Sequence, residues 1–242
     1  MPKELRRRED RLAAIKAAKE RLAAAQRHAD DERGRQPGQE RSAKNGHRYQ
    51  RGYGEPDPKA QSNFTDPESG IMKTSTEGFQ QCYNAQTVVD DEHQIVVEAS
   101  VSACASDQGE LTARLDAVEE QYGVKPAEVL ADAGYCNEAD LLELEARGIA
   151  GHVALGREGK KHSVVDPKKL PATDRMRKRL ETEAGRARYA RRKWLSEAPN
   201  GWIKEVLGFR RFSFRGLEKV EAEWNLVCLA LNVRRIATLT TG

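Results

Sequence analysis

Apolar positions recur at helical spacing near both ends of this chain and in short strand-like runs through its middle. Leu5, Leu12, Ile15 and Leu22 form a narrow stripe of heptad-like spacing over residues 3–28, with alanines filling the turns between them. Such a stripe predicts a helix that needs a partner, either a second copy or another helix. From Asp30 to Ser62 the periodicity stops. Gly34, Gly38, Gly46, Gly52, Gly54, Pro37, Pro56 and Pro58 punctuate a polar, basic run that reads as a disordered linker. The folded part is expected from Asn63 onward, opening on a turn at Thr65–Ser69 in which Pro67 holds Asp66 extended.

Alternation then predicts two strands, Cys82–Val89 and Gln94–Val101, joined as an antiparallel hairpin through Asp90-Asp91-Glu92-His93. A helix beginning near Asp107 follows to about Tyr122, with Leu111, Leu115 and Val118 inward. After Gly123 and Pro126 the run Val129-Leu130-Ala131 predicts a buried strand that ends on Asp132. Asn137 is the expected N-cap of a helix carrying Leu141, Leu142 and Leu144 and stopping at Gly148. Ile149–Leu155 is the next strand, and residues 156–183 read as a basic excursion. A helix from about Gly185 carries Tyr189, Lys193 and Glu197 and is interrupted at Pro199-Asn200-Gly201. A last helix turns Val220, Trp224, Val227 and Leu231 to one face. The order of strand, strand, helix, strand, helix, strand is that of an α/β fold. The organisation expected is a helical arm at 1–29, a linker at 30–62 and a folded domain at 63–242.

Charge changes this picture by being segregated. The chain has 242 residues, a third of them charged, and a net charge of only +3. Residues 1–50 hold 14 bases and 8 acids, 51–156 hold 6 bases and 20 acids, and 157–216 hold 18 bases and 7 acids. An acidic block that gathers cations beside a basic block that gathers a polyanion would give this pattern, and so would attraction between two structural halves. Cys82, Cys104, Cys136 and Cys228 are scattered, as are the five histidines, which argues against a zinc site and fits a reducing cytosol. No apolar stretch is long enough for a membrane span, and the early charges argue against a signal peptide.

An acid at the end of a buried strand stands where α/β sheets open their ligand crevices, although Asp also starts turns and caps helices. Downstream, Tyr189, Lys193 and Glu197 are spaced by four, and Lys204 follows two turns later, so a regular helix would stack them on nearly one side. A solvated face of ion pairs has that spacing too.

These segments carry a resemblance. Ala131-Asp132-Ala133-Gly134-Tyr135, the Tyr189–Lys204 pattern, and Gly208-Phe209-Arg210-Arg211-Phe212 through Lys219 resemble the C-terminal half of DDE insertion-sequence transposases. Asn63-Phe64-Thr65-Asp66-Pro67-Glu68-Ser69, Ile71-Met72-Lys73-Thr74 and Tyr83-Asn84-Ala85-Gln86 belong to the same resemblance, which covers roughly residues 56–237. It implies an RNase H-like mixed sheet flanked by helices, and metal-dependent cleavage and strand transfer of DNA at insertion-sequence ends. By the match, Asp132 is the second metal-binding acid and Glu197 the third, holding Mg2+ or Mn2+ in a two-metal site. Tyr189, Arg191, Arg192, Lys193, Lys204, Arg210, Arg211 and Arg215 would meet DNA phosphates.

The family's first acid stands on an opening strand in an Asp-Gly-Thr-like motif, and no such motif occurs here. The expectation is therefore a truncated domain lacking its first strand, with Asp66 and Asp90 the nearest substitutes for the missing acid, Asp66 read first as a structural turn residue and Asp90 as a hairpin-turn residue. The sequence departs from the family at Gly70, where arginine is usual, and at Cys82, where glycine is usual. It departs again at Ala198-Pro199-Asn200-Gly201, whose proline is expected to loosen the helix past Glu197. Two further readings stay open: a non-catalytic remnant that binds DNA through 157–215, and a regulatory fragment that pairs with itself or an intact transposase through residues 3–28.

Overall fold

In the computed structural model, which describes residues 7–42, 46–74, 77–156 and 166–241, the chain divides into two units, 1–69 and 70–242. In the first unit, helix α1 spans Arg8–Glu32. It buries Ala18, while Leu12 and Ile15 are exposed; Leu5 lies outside the described residues. The helix ends on a buried ion pair. Arg35, 5% exposed, reaches Asp30 at 3.5 Å, donates to the Arg51 carbonyl at 2.6 Å and lies over the Tyr49 ring. Asp30 also accepts from the Gly54 amide at 2.9 Å. The described part of the expected linker is therefore folded back on α1. Burial opposes ionisation of Asp30, but hydrogen bonds from Gly54 and Gln26 and the Arg35 charge outweigh it and hold the carboxyl below its usual range.

The second unit is a mixed α/β domain. Strands β1 (Gly70–Thr74) and β2 (Gly78–Cys82) pair antiparallel, as do β3 (Asn84–Val89) and β4 (Val96–Ser102), the latter with a bulge at Val88/Val89. The β3–β4 hairpin is as expected. The β1–β2 hairpin was not anticipated, because its residues alternate without burying a face: Phe79 is 72% exposed. Gly70 has a steric reason. A Cβ there would lie 2.1 Å from the Ala103 carbonyl oxygen, so the arginine usual at this position has no room.

Helix α2 (Glu110–Tyr122), strand β5 (Glu128–Ala131), helix α3 (Glu138–Ala146) and strand β6 (Ala150–Val153) follow, and β5 and β6 pair in parallel. Asn137 caps α3 as expected, accepting from the Asp140 amide at 2.9 Å. Leu141 and Leu144 are buried, but Leu142 faces solvent. The basic excursion contains a helix, α4 (Pro171–Glu181), whose Ala172 and Met176 enter the core. The Glu138 carboxylate caps it, accepting from the amides of Ala172 at 2.7 Å and Thr173 at 3.0 Å. Residues 157–165 of that excursion lie outside the described residues.

Helices α5 (Glu183–Ala190), α6 (Ala198–Glu205) and α7 (Leu217–Thr241) complete the unit. The hairpin, the helix and the parallel βαβ pair, with helices packed against them, agree with an RNase H-like arrangement. The apolar interior forms two clusters. One joins α2, α3 and α4 to β5–β6, and the other joins α6 and α7 to the β3–β4 hairpin. On α7, Val220, Trp224, Cys228 and Leu231 are buried and Val227 packs beside them, as the spacing predicts.

Candidate functional site

Strand β5 delivers Asp132 to its carboxyl end, where the chain turns sharply through Ala133–Tyr135. Asp132 is exposed, and its Oδ1 accepts the Gly134 amide at 2.8 Å, so it starts the turn. Tyr135 then points back into the domain. Its hydroxyl donates to the Gln86 amide oxygen on β3, while the Gln86 Nε2 and Asn84 Nδ2 each donate to Asp107 Oδ1 at 2.7 Å. Burial first, then the charges of Asp107, Asp132 and Glu110, raise the Tyr135 hydroxyl well above its usual range, which keeps it a donor.

A second polar layer extends this one. Arg114 of α2 meets Glu98 of β4 at 3.0 Å and Glu110 at 3.5 Å, and it also bonds Ser100. Glu98 is 8% exposed, and burial pushes its carboxyl upward despite Arg114. Sequence alternation marked this face of the hairpin as a strand face without showing that polar groups fill it. The buried Asp140 was missed as well. It joins the start of α2 to α3 by accepting Thr112 Oγ1 at 2.9 Å and the Gly109 amide at 3.2 Å.

Glu197 ends a π-helical turn, Lys193–Glu197, that runs directly into α6. One expectation is corrected here. The helix past Glu197 is not loosened by Pro199, because proline falls in the first turn of α6, where its missing N–H is tolerated. Glu197 and Ala198 keep helical backbone angles, and Asn200 Nδ2 donates to the Ser196 carbonyl at 2.9 Å. The turn that carries Lys193 and Glu197 is the wider, π-helical form. Arg192 lies between Tyr189 and Glu197, with its guanidinium 5.4 Å from the Tyr189 ring centroid and 3.3 Å from Glu197 Oε1. Glu197 itself is 57% exposed.

Polar contacts anchor this helical run to both halves of the domain. Arg188 reaches Glu128 at the start of β5 at 2.5 Å. Arg191 pairs with Asp91 in the hairpin turn at 3.2 Å, and Gln94 donates to the Trp194 carbonyl at 2.6 Å.

The bases expected to be in excess are partly neutralised. Arg210 pairs with Glu205 and Arg211 with Glu77, while Lys204 and Arg215 are exposed. Asp90 is the turn residue expected, accepting the amides of Glu92 and His93. Asp66 lies in the first unit, 7% exposed, where its carbonyl accepts Ser69 N at 3.2 Å and closes the expected turn. Among the described residues no three His, Cys, Asp or Glu side chains converge as a cation cluster. Asp132 and Glu197 are oxygen donors of the kind Mg2+ accepts, and each has an exposed carboxylate.

The sequence model of the transposase DDE domain matches residues 31–233. No curated protein and no solved structure matches the chain.

Proposed function

Because this chain belongs to the transposase DDE domain family, we propose that its Asp132 and Glu197 carboxylates hold Mg2+ or Mn2+ for cleavage and strand transfer of DNA at insertion-sequence ends. The observation that carries this reading is the placing of Asp132. It stands exposed at the carboxyl end of β5, with Oδ1 accepting the Gly134 amide. A bound divalent cation would supply charge stabilisation to the attacking and leaving oxygens of a phosphodiester. The chain's own side chains bind and orient the polyanion. Lys204 and Arg215 offer exposed charge, and Tyr189, Arg191, Arg192, Lys193, Arg210 and Arg211 stand in contact with neighbouring groups.

Only two carboxylates are assigned, so the cation is held loosely and the chain alone joins DNA slowly. The first experiment is a nicking and strand-transfer assay with Mg2+ or Mn2+, run beside Asp132→Ala and Glu197→Ala. Weak activity lost in both variants supports the reading, and activity unchanged in either overturns that residue's role.

A second reading, a non-catalytic remnant, takes DNA through the bases of 157–215 or, as the exposed Leu12 and Ile15 edge of α1 favours, pairs with another copy or an intact transposase. In that case DNA binding falls steeply with salt while no cation dependence appears. The partner in both readings is DNA. No helix among the described residues is long and apolar enough to cross a membrane, and four unpaired thiols suit the cytosol.

A further inference from the structure

We infer that Asp107 is a positioning residue for Asp132, acting through Gln86 and Tyr135; the inference rests on Asp132 being a working carboxylate. Asp107 lies between β4 and α2 and is half-buried. Both amide donors, Asn84 Nδ2 and Gln86 Nε2, meet the same oxygen, Oδ1, each at 2.7 Å. That fixes the orientation of the Gln86 amide, whose oxygen is then the acceptor for the Tyr135 hydroxyl. Gln86 is only 2% exposed, and its backbone carbonyl accepts Trp224 Nε1 at 2.9 Å, so it is a rigid post. The turn that displays Asp132 is tied to the post three residues later, by Tyr135.

The other oxygen forms a wall. A Cβ on Gly134 would lie 2.5 Å from Asp107 Oδ2 and 3.1 Å from Asp132 Oδ1. Gly134 has no positive φ, so its glycine is required by space and not by backbone conformation. The close approach of Asp107 is what demands it. The motifs Tyr83-Asn84-Ala85-Gln86 and Asp132-Ala133-Gly134-Tyr135 are thus two sides of one joint, with Asp107 as its pin.

A carboxylate that positions by accepting hydrogen bonds can be replaced by an amide, because an asparagine side chain at this position would keep an oxygen for both donors. A carboxylate that acts by its charge cannot. Full-length protein carrying Asp107→Asn, Asp107→Ala or Tyr135→Phe would be compared by hydrogen–deuterium exchange of residues 132–136 and by Mn2+ binding followed with electron paramagnetic resonance. Loss of a buried hydrogen bond is expected to raise exchange about tenfold in Asp107→Ala and in Tyr135→Phe, with Asp107→Asn near the wild type. Mn2+ affinity should fall about tenfold in the first two and hold in the third.

Unchanged exchange in both Asp107→Ala and Tyr135→Phe overturns the inference, as does Asp107→Asn behaving like Asp107→Ala. Tyr135→Phe keeps the test decisive where Asp107→Ala fails to fold. Absence in the wild type of any Mn2+ binding sensitive to Asp132→Ala would refute the proposed function instead, and the exchange data would still decide the role of Asp107.

Discussion

The two apolar clusters of the second unit are built in different ways. The cluster at the parallel pair is aliphatic and assembled from one stretch of chain: Leu111, Leu115, Leu141, Leu144, Ile149, Val153 and Met176. The cluster at the hairpin gathers Val96, Val101, Ile203, Val220, Trp224 and Leu231, with the rings of Phe209 and Phe212 6.1 and 6.3 Å from that of Trp224 and Tyr83 6.2 Å from Phe212. Its seams are polar and long-range. Asn232 donates to and accepts from the Val96 backbone, both at 2.8 Å, and Arg235 donates to the His93 carbonyl at 2.6 Å. Asp132 is carried by the first cluster, and Glu197 leads into α6, whose Ile203 enters the second. The contrast teaches that one carboxylate rests on local β–α–β packing, whereas the other depends on the return of α7.

The sharpest way to break this contrast is to empty each cluster in turn. Trp224→Ala should destabilise by about 3–5 kcal/mol and Leu144→Ala by about 2–5 kcal/mol, measured by urea unfolding. Hydrogen exchange should then rise first in β3, β4 and α7 for the tryptophan variant, and in α3, β5 and β6 for the leucine variant. Identical exchange maps would show that the two clusters behave as one.

A smaller effect compares a long-range polar seam with a local one. Asn232→Ala leaves both Val96 backbone groups without their side-chain partner and should cost about 1–3 kcal/mol. Asn137→Ala removes a helix cap within the first cluster and should cost about 1 kcal/mol. Equal losses would mean that the seam has no special weight.

The smallest expected effect concerns the polar layer on the hairpin. Burial raises the Glu98 carboxyl above its ordinary 4.5 in spite of Arg114, so the folded state holds that proton more tightly than the unfolded chain. Its contribution is then fully present below the ordinary value and is lost as pH rises through the raised one. Glu98→Gln should give a more stable protein at neutral pH, with the gain gone in acid. A variant less stable at neutral pH would show that the Glu98–Arg114 pair outweighs its burial.

Much of the domain was legible beforehand because its signals are local. The Asn137 cap, the β3–β4 hairpin, the strand ending at Asp132 and the inward face of α7 follow from spacing, turn chemistry and one capping side chain. Helix α4 was missed although Ala172, Met176 and Leu180 recur at intervals of four, because dense basic residues obscured so thin an apolar stripe. At the site, Asp132 and Glu197 were marked by motifs, and the role of Asp107 was not. Nothing in the string of letters says that Asn84 and Gln86 meet at it, or that Tyr135 meets Gln86.

The sequence by itself determined the element types, the family and the carboxylates that motif matching picks out, since periodicity and short motifs record them within a few turns of chain. Tertiary structure decided what surrounds those carboxylates. The wide turn that puts Arg192 between Tyr189 and Glu197, the space that makes residue 134 glycine, and the polar layer of Glu98, Ser100 and Arg114 are set by how the chain packs, most of them between segments far apart in sequence. A buried polar group must find a partner wherever the fold brings one, and that partner is set by packing, which no local pattern encodes.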